Sequence, residues 1–426
     1  MLGLRRLAGL VAGACLACLS WSGPAAADVV TDWNAIATQS IVSGVPTRGG
    51  GSGFLDFAMV HLAMHDAIQA FEGRYESYGA PIPDATGSPI AAAAKAARDV
   101  LVSRFPAQTA SLQTTFENYL ANLGLQLGDP GVAIGQQAAA QIVSLRIGDG
   151  SWPPNPEVFT GGTQPGEWRP TLPAFVPMLV PWLGAVVPFA LKDASQLFPS
   201  PPPPSLTSDQ YTQDYNETKA LGRATNSSRT AEQTALALFY SDNLLVQGER
   251  ALRGVGATVD SIGDNGRLFA LANVSAADAI ICVWNAKRTY NFWRPITAIQ
   301  EGDNDGNPDT AGDPTWLPFI ATPAYPEYSS GANGFTGAFT RTLALLFGDQ
   351  TPYTLTSTPM NQTKTYERFS DQAQDMVDVR IYQGIHFRSA DEVSRRIGRR
   401  SANWAFSHVL RPLQGASPAG AAGARR

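Results

Sequence analysis

Nine consecutive residues, Lys287-Arg-Thr-Tyr-Asn-Phe-Trp-Arg294-Pro295, carry the densest chemical information in the chain. Two later segments extend it: Ser329-Ser330-Gly331-Ala332 and Arg380-Ile-Tyr-Gln-Gly-Ile-His386. Lys287, Arg294, Arg380, the Ser330 hydroxyl and the Gly331 amide are donors of the kind a tetrahedral oxyanion needs around it. The imidazole of His386 can bond to the central atom, as a metal ligand or as a nucleophile. Lys287 and Arg294 are seven residues apart. On a helix they would share a face about 10 Å apart along the axis, and both could reach one anion. A solvated charged face is the competing reading of that pair. Pro295 keeps Arg294 out of the helical region, so the helix is expected to end there. Arg380 and His386 do not share a helical face, and Gly384 between them marks a turn.

The elements that must position these groups are helical. Apolar residues recur at helical spacing over 54–71, 90–105, 112–123, 132–147, 209–221, 229–255 and 275–292. Further helices are expected over 334–347, 366–377 and 391–410, and no hairpin series is evident. The fold class is therefore all-α. A Gly/Pro-rich stretch, 149–206, divides an N-terminal helical part (28–148) from a C-terminal helical part (207–410) that carries the oxyanion site. Residues 411–426 are rich in Ala, Gly and Pro and are expected to be disordered.

The three ordered segments resemble the vanadium-dependent haloperoxidases and the related type-2 phosphatidic acid phosphatases. Those families carry Lys-x6-Arg-Pro, then Pro-Ser-Gly-His, then Ser-Arg-x5-His. The likeness is greatest over about 275–400, where 291–299, 325–328 and 384–391 look like secreted bacterial members. It implies helical bundles of the haloperoxidase and acid phosphatase type. It also implies that Lys287, Arg294, Ser330, Gly331 and Arg380 hold the oxygens of vanadate, with phosphate as the other occupant. His386 would be the axial vanadium ligand in the peroxidase and the nucleophile in the phosphatase. The residues with catalytic roles would be His386, Arg294, Lys287 and Arg380, and the small-molecule partners peroxide and halide, or a phosphate ester. Two positions depart from the pattern: Val379 replaces a Ser, and Ala332 replaces the acid–base His of the second motif. Such a group is worth about 10²–10⁴ in rate. The resemblance thus implies a haloperoxidase-like protein with weakened chemistry; phosphomonoester hydrolysis and oxyanion binding without turnover are the other two readings. Asn333 cannot relay a proton at neutral pH, whereas Glu327 could if it pointed inward.

The remaining features bound the class. Arg5 and Arg6, the apolar run 7–19 and the small residues 25–27 read as a secretory signal over 1–27, so a secreted or periplasmic protein is expected. Loss of Arg5 and Arg6 takes the formal charge from −5 to −7, which argues against nucleic-acid binding. Of three cysteines only Cys282 lies outside that signal, and its apolar neighbours suggest a buried, inert thiol. Stability then rests on the core or on homo-oligomerisation. The uncharged run 170–191 is long enough to cross a bilayer, but Pro173, Pro177, Pro181 and Pro188 break it; it reads as an extended segment draped over the core. His61 and His65 have a metal-ligand spacing but no third ligand in view, and packing among Val60, Leu62 and Met64 is the simpler reading. Asp303, Asp305, Asn307 and Asp309 alternate as in calcium loops, but Pro308 stands where the turning Gly belongs, which favours a solvated loop.

Overall fold

The computed structural model describes residues 28–197 and 201–413. The chain is built of helices α1 (Val29–Val42), α2 (Gly53–Glu72), α3 (Pro89–Arg104), α4 (Thr109–Asn122) and α5 (Pro130–Leu145), followed by a long irregular connection. After it come α6 (Asp209–Leu221), α7 (Ala231–Phe239), α8 (Leu244–Gly256), α9 (Ile262–Tyr290), α10 (Pro295–Gln300), α11 (Gly331–Phe347), α12 (Phe369–Tyr382) and α13 (Arg388–His408). Local chemistry starts many of them. Pro follows the side-chain N-cap in α3 (Ser88) and α5 (Asp129), and Thr230 with Gln233 forms a capping box at α7.

Helix α9 is the axle. It packs against α2, α11 and α13, and almost every side chain from Gly263 to Lys287 is buried. It is long and apolar enough to span a membrane, but 94% of its apolar window lies inside the protein, as expected of a core helix. Asp278, in its middle, accepts the amides of Phe189, Ala190 and Leu191 at 2.6, 2.8 and 2.9 Å. One buried carboxylate thereby pins the irregular connection to the bundle. Within that connection Leu183 and Val186 are buried while Phe175 and Val187 face outward, and Pro181–Ala185 forms a single 3-10 turn.

Several elements differ from the expected ones for local reasons. The expected helix 229–255 is two, because Asn243 caps Leu245 and Val246 and restarts the chain after Tyr240. Helix α1 starts at a capping box of Asp28 and Thr31 that the periodicity did not reveal. A single hairpin, β1 (Tyr353–Ser357) with β2 (Gln362–Tyr366), pairs antiparallel with Tyr353 opposite Tyr366. The expected signal segment lies outside the described residues. So does most of the tail, though Leu413 donates its amide to Arg74 and Glu76 donates to Arg411.

The competing constellations serve structure. His61 Nε2 faces Asn34 Nδ2 at 2.9 Å, and His65 Nε2 lies 3.1 Å from the Glu76 carbonyl. Burial holds both imidazoles uncharged, at about 3 and about 4. In the 303–309 loop, Asp305 binds the Asn307 amide and the Thr310 hydroxyl, and Asp303 binds the Gly312 amide. Cys282 is fully buried and free, and burial pushes its thiol far up.

Candidate functional site

Lys287, Arg294, Ser330, Gly331, Arg380 and His386 come from five places in the fold and meet at one end of α9. The expected helical face for Lys287 and Arg294 is not how they converge. Helix α9 ends at Tyr290, and Asn291 adopts a left-handed conformation (φ +47°), which Asn tolerates. The chain then reverses beside the connection, with Trp168 donating to Asn291 O and Trp293 to Gly166 O. Arg294 is the extended residue before α10, with Pro295 at the first helical position (φ −79°, ψ 154°). Helix stop, reversal and restart bring Arg294 back toward Lys287.

Lys287 Nζ donates to the carbonyls of Pro326 (2.6 Å) and Glu327 (3.1 Å). Arg294 Nε donates to Tyr325 O (2.8 Å) and Nη1 to Ile385 O (2.6 Å). Arg380 lies in the last turn of α12 and donates through Nη1 to Gln383 Oε1 (2.6 Å). Gly384 then takes φ +76°, turning the chain so that His386 enters the site just before α13. Ser330 is the N-cap of α11 and Gly331 its first residue, so the amides of the first turn have no partner inside the helix.

His386 is clamped on both ring nitrogens. Nδ1 lies 2.9 Å from Glu327 Oε1, which also accepts the Phe387 amide at 2.9 Å; Nε2 lies 3.0 Å from Arg294 Nη1. A guanidinium can only donate. Nε2 must therefore carry the lone pair, and Nδ1 the proton given to Glu327. Glu327 does point inward, but it stands behind the imidazole and orients it, and is not a replacement for the residue lost at Ala332. Burial raises its carboxyl to about 7, against the opposing pull of the Phe387 amide, Arg294 and Lys287. Asp391, held by Asn333 Nδ2 at 2.8 Å, is likewise pushed well up by burial.

Electrostatically the site gathers three cations, with the carboxyls of Glu327 and Asp391 beside them. Burial, then the neighbouring Arg294, drives Lys287 well below its ordinary range. Burial lowers Arg294 to about 10, and Arg380 falls by burial too. His386 is held far down by burial and by the same three cations. Two donor atoms buried in this cluster, Arg294 Nη2 and Arg380 Nε, have no hydrogen-bond partner. Buried donors left unsatisfied cost about 1–3 kcal/mol each. A tetrahedral oxyanion would supply acceptors and charge at once, so these residues fit vanadate or phosphate.

A cleft of about 430 Å³ reaches this cradle, lined there by Trp284, Tyr325, Gly331, Ala332 and Arg380, and further out by Phe54, Tyr240, Leu245 and Phe335. Ala332 sits on its wall as a methyl group. The sequence reading did not assign Asn333, Asp391 or Tyr325. Asp391, two turns or less from His386 and within a buried helix stretch, is the one whose signal was readable.

Comparison with known proteins follows this geometry. Residues 267–415 match the family described as the VCPO second helical-bundle domain, the class that fold and site define. The vanadium chloroperoxidase of Curvularia inaequalis is 40% identical over 85 residues, 18% of this chain and 13% of that protein's length. Solved structures show the fold over nearly the whole molecule. A bacterial vanadium-dependent iodoperoxidase superposes with TM-score 0.76 and 23% identity, over 90% of this chain and 97% of the other. A holo-type bacterial vanadium-dependent chloroperoxidase gives 0.69 and 18%, over 87% and 94%. The matched C-terminal part is thus similar to that helical-bundle domain, and the fold of nearly the whole chain is that of the solved vanadium haloperoxidases.

Proposed function

We propose that this protein is an exported haloperoxidase-like enzyme that holds vanadate in the cradle and oxidises halide with peroxide. The observation that carries the reading is the pair of unpartnered, buried donors, Arg294 Nη2 and Arg380 Nε, in a cluster of three cations around His386. Lys287, Arg294 and Arg380 would hold the oxygens by charge-assisted hydrogen bonds, helped by Ser330 and the Gly331 amide. Glu327 keeps the proton on Nδ1 of His386, so the lone pair stays on Nε2, where Arg294 Nη1 now donates and where a bound anion would take its place. Bound vanadate supplies a Lewis-acidic centre that activates peroxide. Trp284 and Ala332 give the cleft an apolar wall beside the cradle. Peroxide and halide are the small-molecule partners. Residues 1–27 are the proposed export signal.

The same oriented Nε2, beside Arg294, suits attack on phosphorus, which supports phosphomonoester hydrolysis as a second reading. One experiment separates the two. The purified protein is assayed with iodide, bromide and peroxide after vanadate loading, and with nitrophenyl phosphate without it. Halide oxidation that requires vanadate and is inhibited by phosphate is expected. Ester hydrolysis with no halide oxidation would favour the second reading, and neither activity would overturn both.

A further inference from the structure

We propose that the phenolic hydroxyl of Tyr325 is the proton-transfer group of this site. The proposal rests on the functional reading above and asks which atom gives and takes protons when position 332 offers only a methyl group.

The acids near the cradle are placed elsewhere. Glu327 Oε1 is engaged behind His386 and Asp391 is held by Asn333; Glu327 Oε2 and Asp391 Oδ2 are buried without a partner, and neither residue lines the cleft. Lys287 is committed to two carbonyls. On the cleft side, Tyr240 has its hydroxyl on Tyr366 at 2.6 Å, and Asp242 accepts the amides of Asn243 and Thr358 at 2.7 Å each. Arg48, also on the cleft wall, is paired with Asp56.

Tyr325 is different. Its ring lies 4.9 Å from Arg294 Cζ and 4.8 Å from Lys287 Nζ, tilted against Trp284 at 5.0 Å. Its own carbonyl receives Arg294 Nε at 2.8 Å, so backbone and ring are both fixed against the cradle. The residue is half-buried and lines the cleft. Among the described residues no group hydrogen-bonds its hydroxyl, and that oxygen is not sealed from solvent. Arg380 lines the same cleft as Tyr325.

A phenolic hydroxyl is both donor and acceptor, so on the cleft side of the cradle it can pass a proton to a reactant oxygen and take one back. The step is a proton transfer. The O–H bond at Tyr325 Oη breaks as one forms on the reactant oxygen facing the cleft, and the reverse transfer from an incoming peroxide or water restores the phenol. No electrons change hands at this residue.

Tyr325→Phe keeps the ring and removes the hydroxyl. Its affinity for inorganic phosphate, measured by calorimetry, should stay within about threefold of wild type, because no cradle donor is lost. In steady-state assays kcat should fall about 100-fold or more with KM little changed. Adding Ala332→His to the Tyr325→Phe protein should restore at least tenfold, since an imidazole would then supply the proton. A merely structural role for Tyr325 would not be rescued this way. The proposal is overturned if kcat in Tyr325→Phe stays within about threefold of wild type, if phosphate affinity falls in parallel with kcat, or if Ala332→His gives no rescue. A wild-type protein that binds phosphate but turns over no substrate would instead sink the functional reading, and this role with it, before any variant is compared.

Discussion

Replacing Glu327 by Gln separates two forces that the cradle exerts on an anion. The carboxylate is fully buried, and its Oε1 takes both the His386 Nδ1 proton and the Phe387 amide at 2.9 Å. Gln can keep an acceptor in that place but not the charge. Where the occupant bonds to Nε2, loss of the charge weakens the imidazole as a ligand. Removing such a supporting carboxylate typically costs 10–100-fold in metal affinity, or about 1.4–2.7 kcal/mol. Where the occupant is held only by the cations, removing a nearby negative charge helps. Lys287 and Arg294 both feel Glu327. At an effective dielectric near 20, a unit charge about 6 Å away is worth roughly 2–3 kcal/mol before compensation. Glu327→Gln should therefore weaken vanadate binding 10–100-fold while leaving sulfate binding unchanged or tighter. Calorimetric titration of both anions at one pH reads the difference. Equal losses for the two anions would refute the assignment of Glu327 as the residue that orients His386, and so would unchanged vanadate affinity.

Other consequences follow from the same geometry. Ala332→His should raise turnover about tenfold or more in steady-state assays, because it adds an imidazole on the cleft wall beside the cradle. Arg294→Lys should weaken phosphate binding about 10–100-fold by calorimetry, since one ammonium cannot serve Tyr325 O, Ile385 O and the anion with the guanidinium's fork. Burial raises the Glu249 carboxyl from 4.5 to about 7, so its contribution to stability is present below pH 4.5 and is lost as pH rises through about 7. Glu249→Gln should accordingly raise the unfolding free energy more at pH 8 than at pH 5, by at most about 3 kcal/mol, read as a higher thermal midpoint at pH 8.

The helical class, and the residues that the structure brings together in the candidate site, were legible because each has a short-range signal. Apolar periodicity marks α2, α3 and α6 almost to the residue, and cationic and hydroxyl side chains next to Pro and Gly mark the cradle. What was not legible depends on chain reversal. Nothing in the periodicity says that α9 stops at Tyr290 or that Asn291 takes a left-handed turn, so Lys287 and Arg294 were expected on one helical face. Their actual convergence needs the connection at Gly166–Trp168, more than a hundred residues upstream. Glu327 and Tyr325 were visible as residues, but their directions are set by Arg294, Lys287 and His386 in three dimensions. The break between α7 and α8 and the Tyr353–Tyr366 hairpin were missed for a simpler reason: Asn243 and the alternating Thr residues compete with weak helical patterns.

Titration of the wild-type protein and of Arg294→Ala with orthovanadate tests most directly whether an oxyanion site is built around His386. One vanadate per chain is expected at micromolar or lower dissociation constant. In Arg294→Ala the affinity should fall at least about tenfold, by loss of a charge-assisted hydrogen bond worth about 1.5–3 kcal/mol. Absence of binding at micromolar vanadate, or equal affinity in the two proteins, would contradict the cradle.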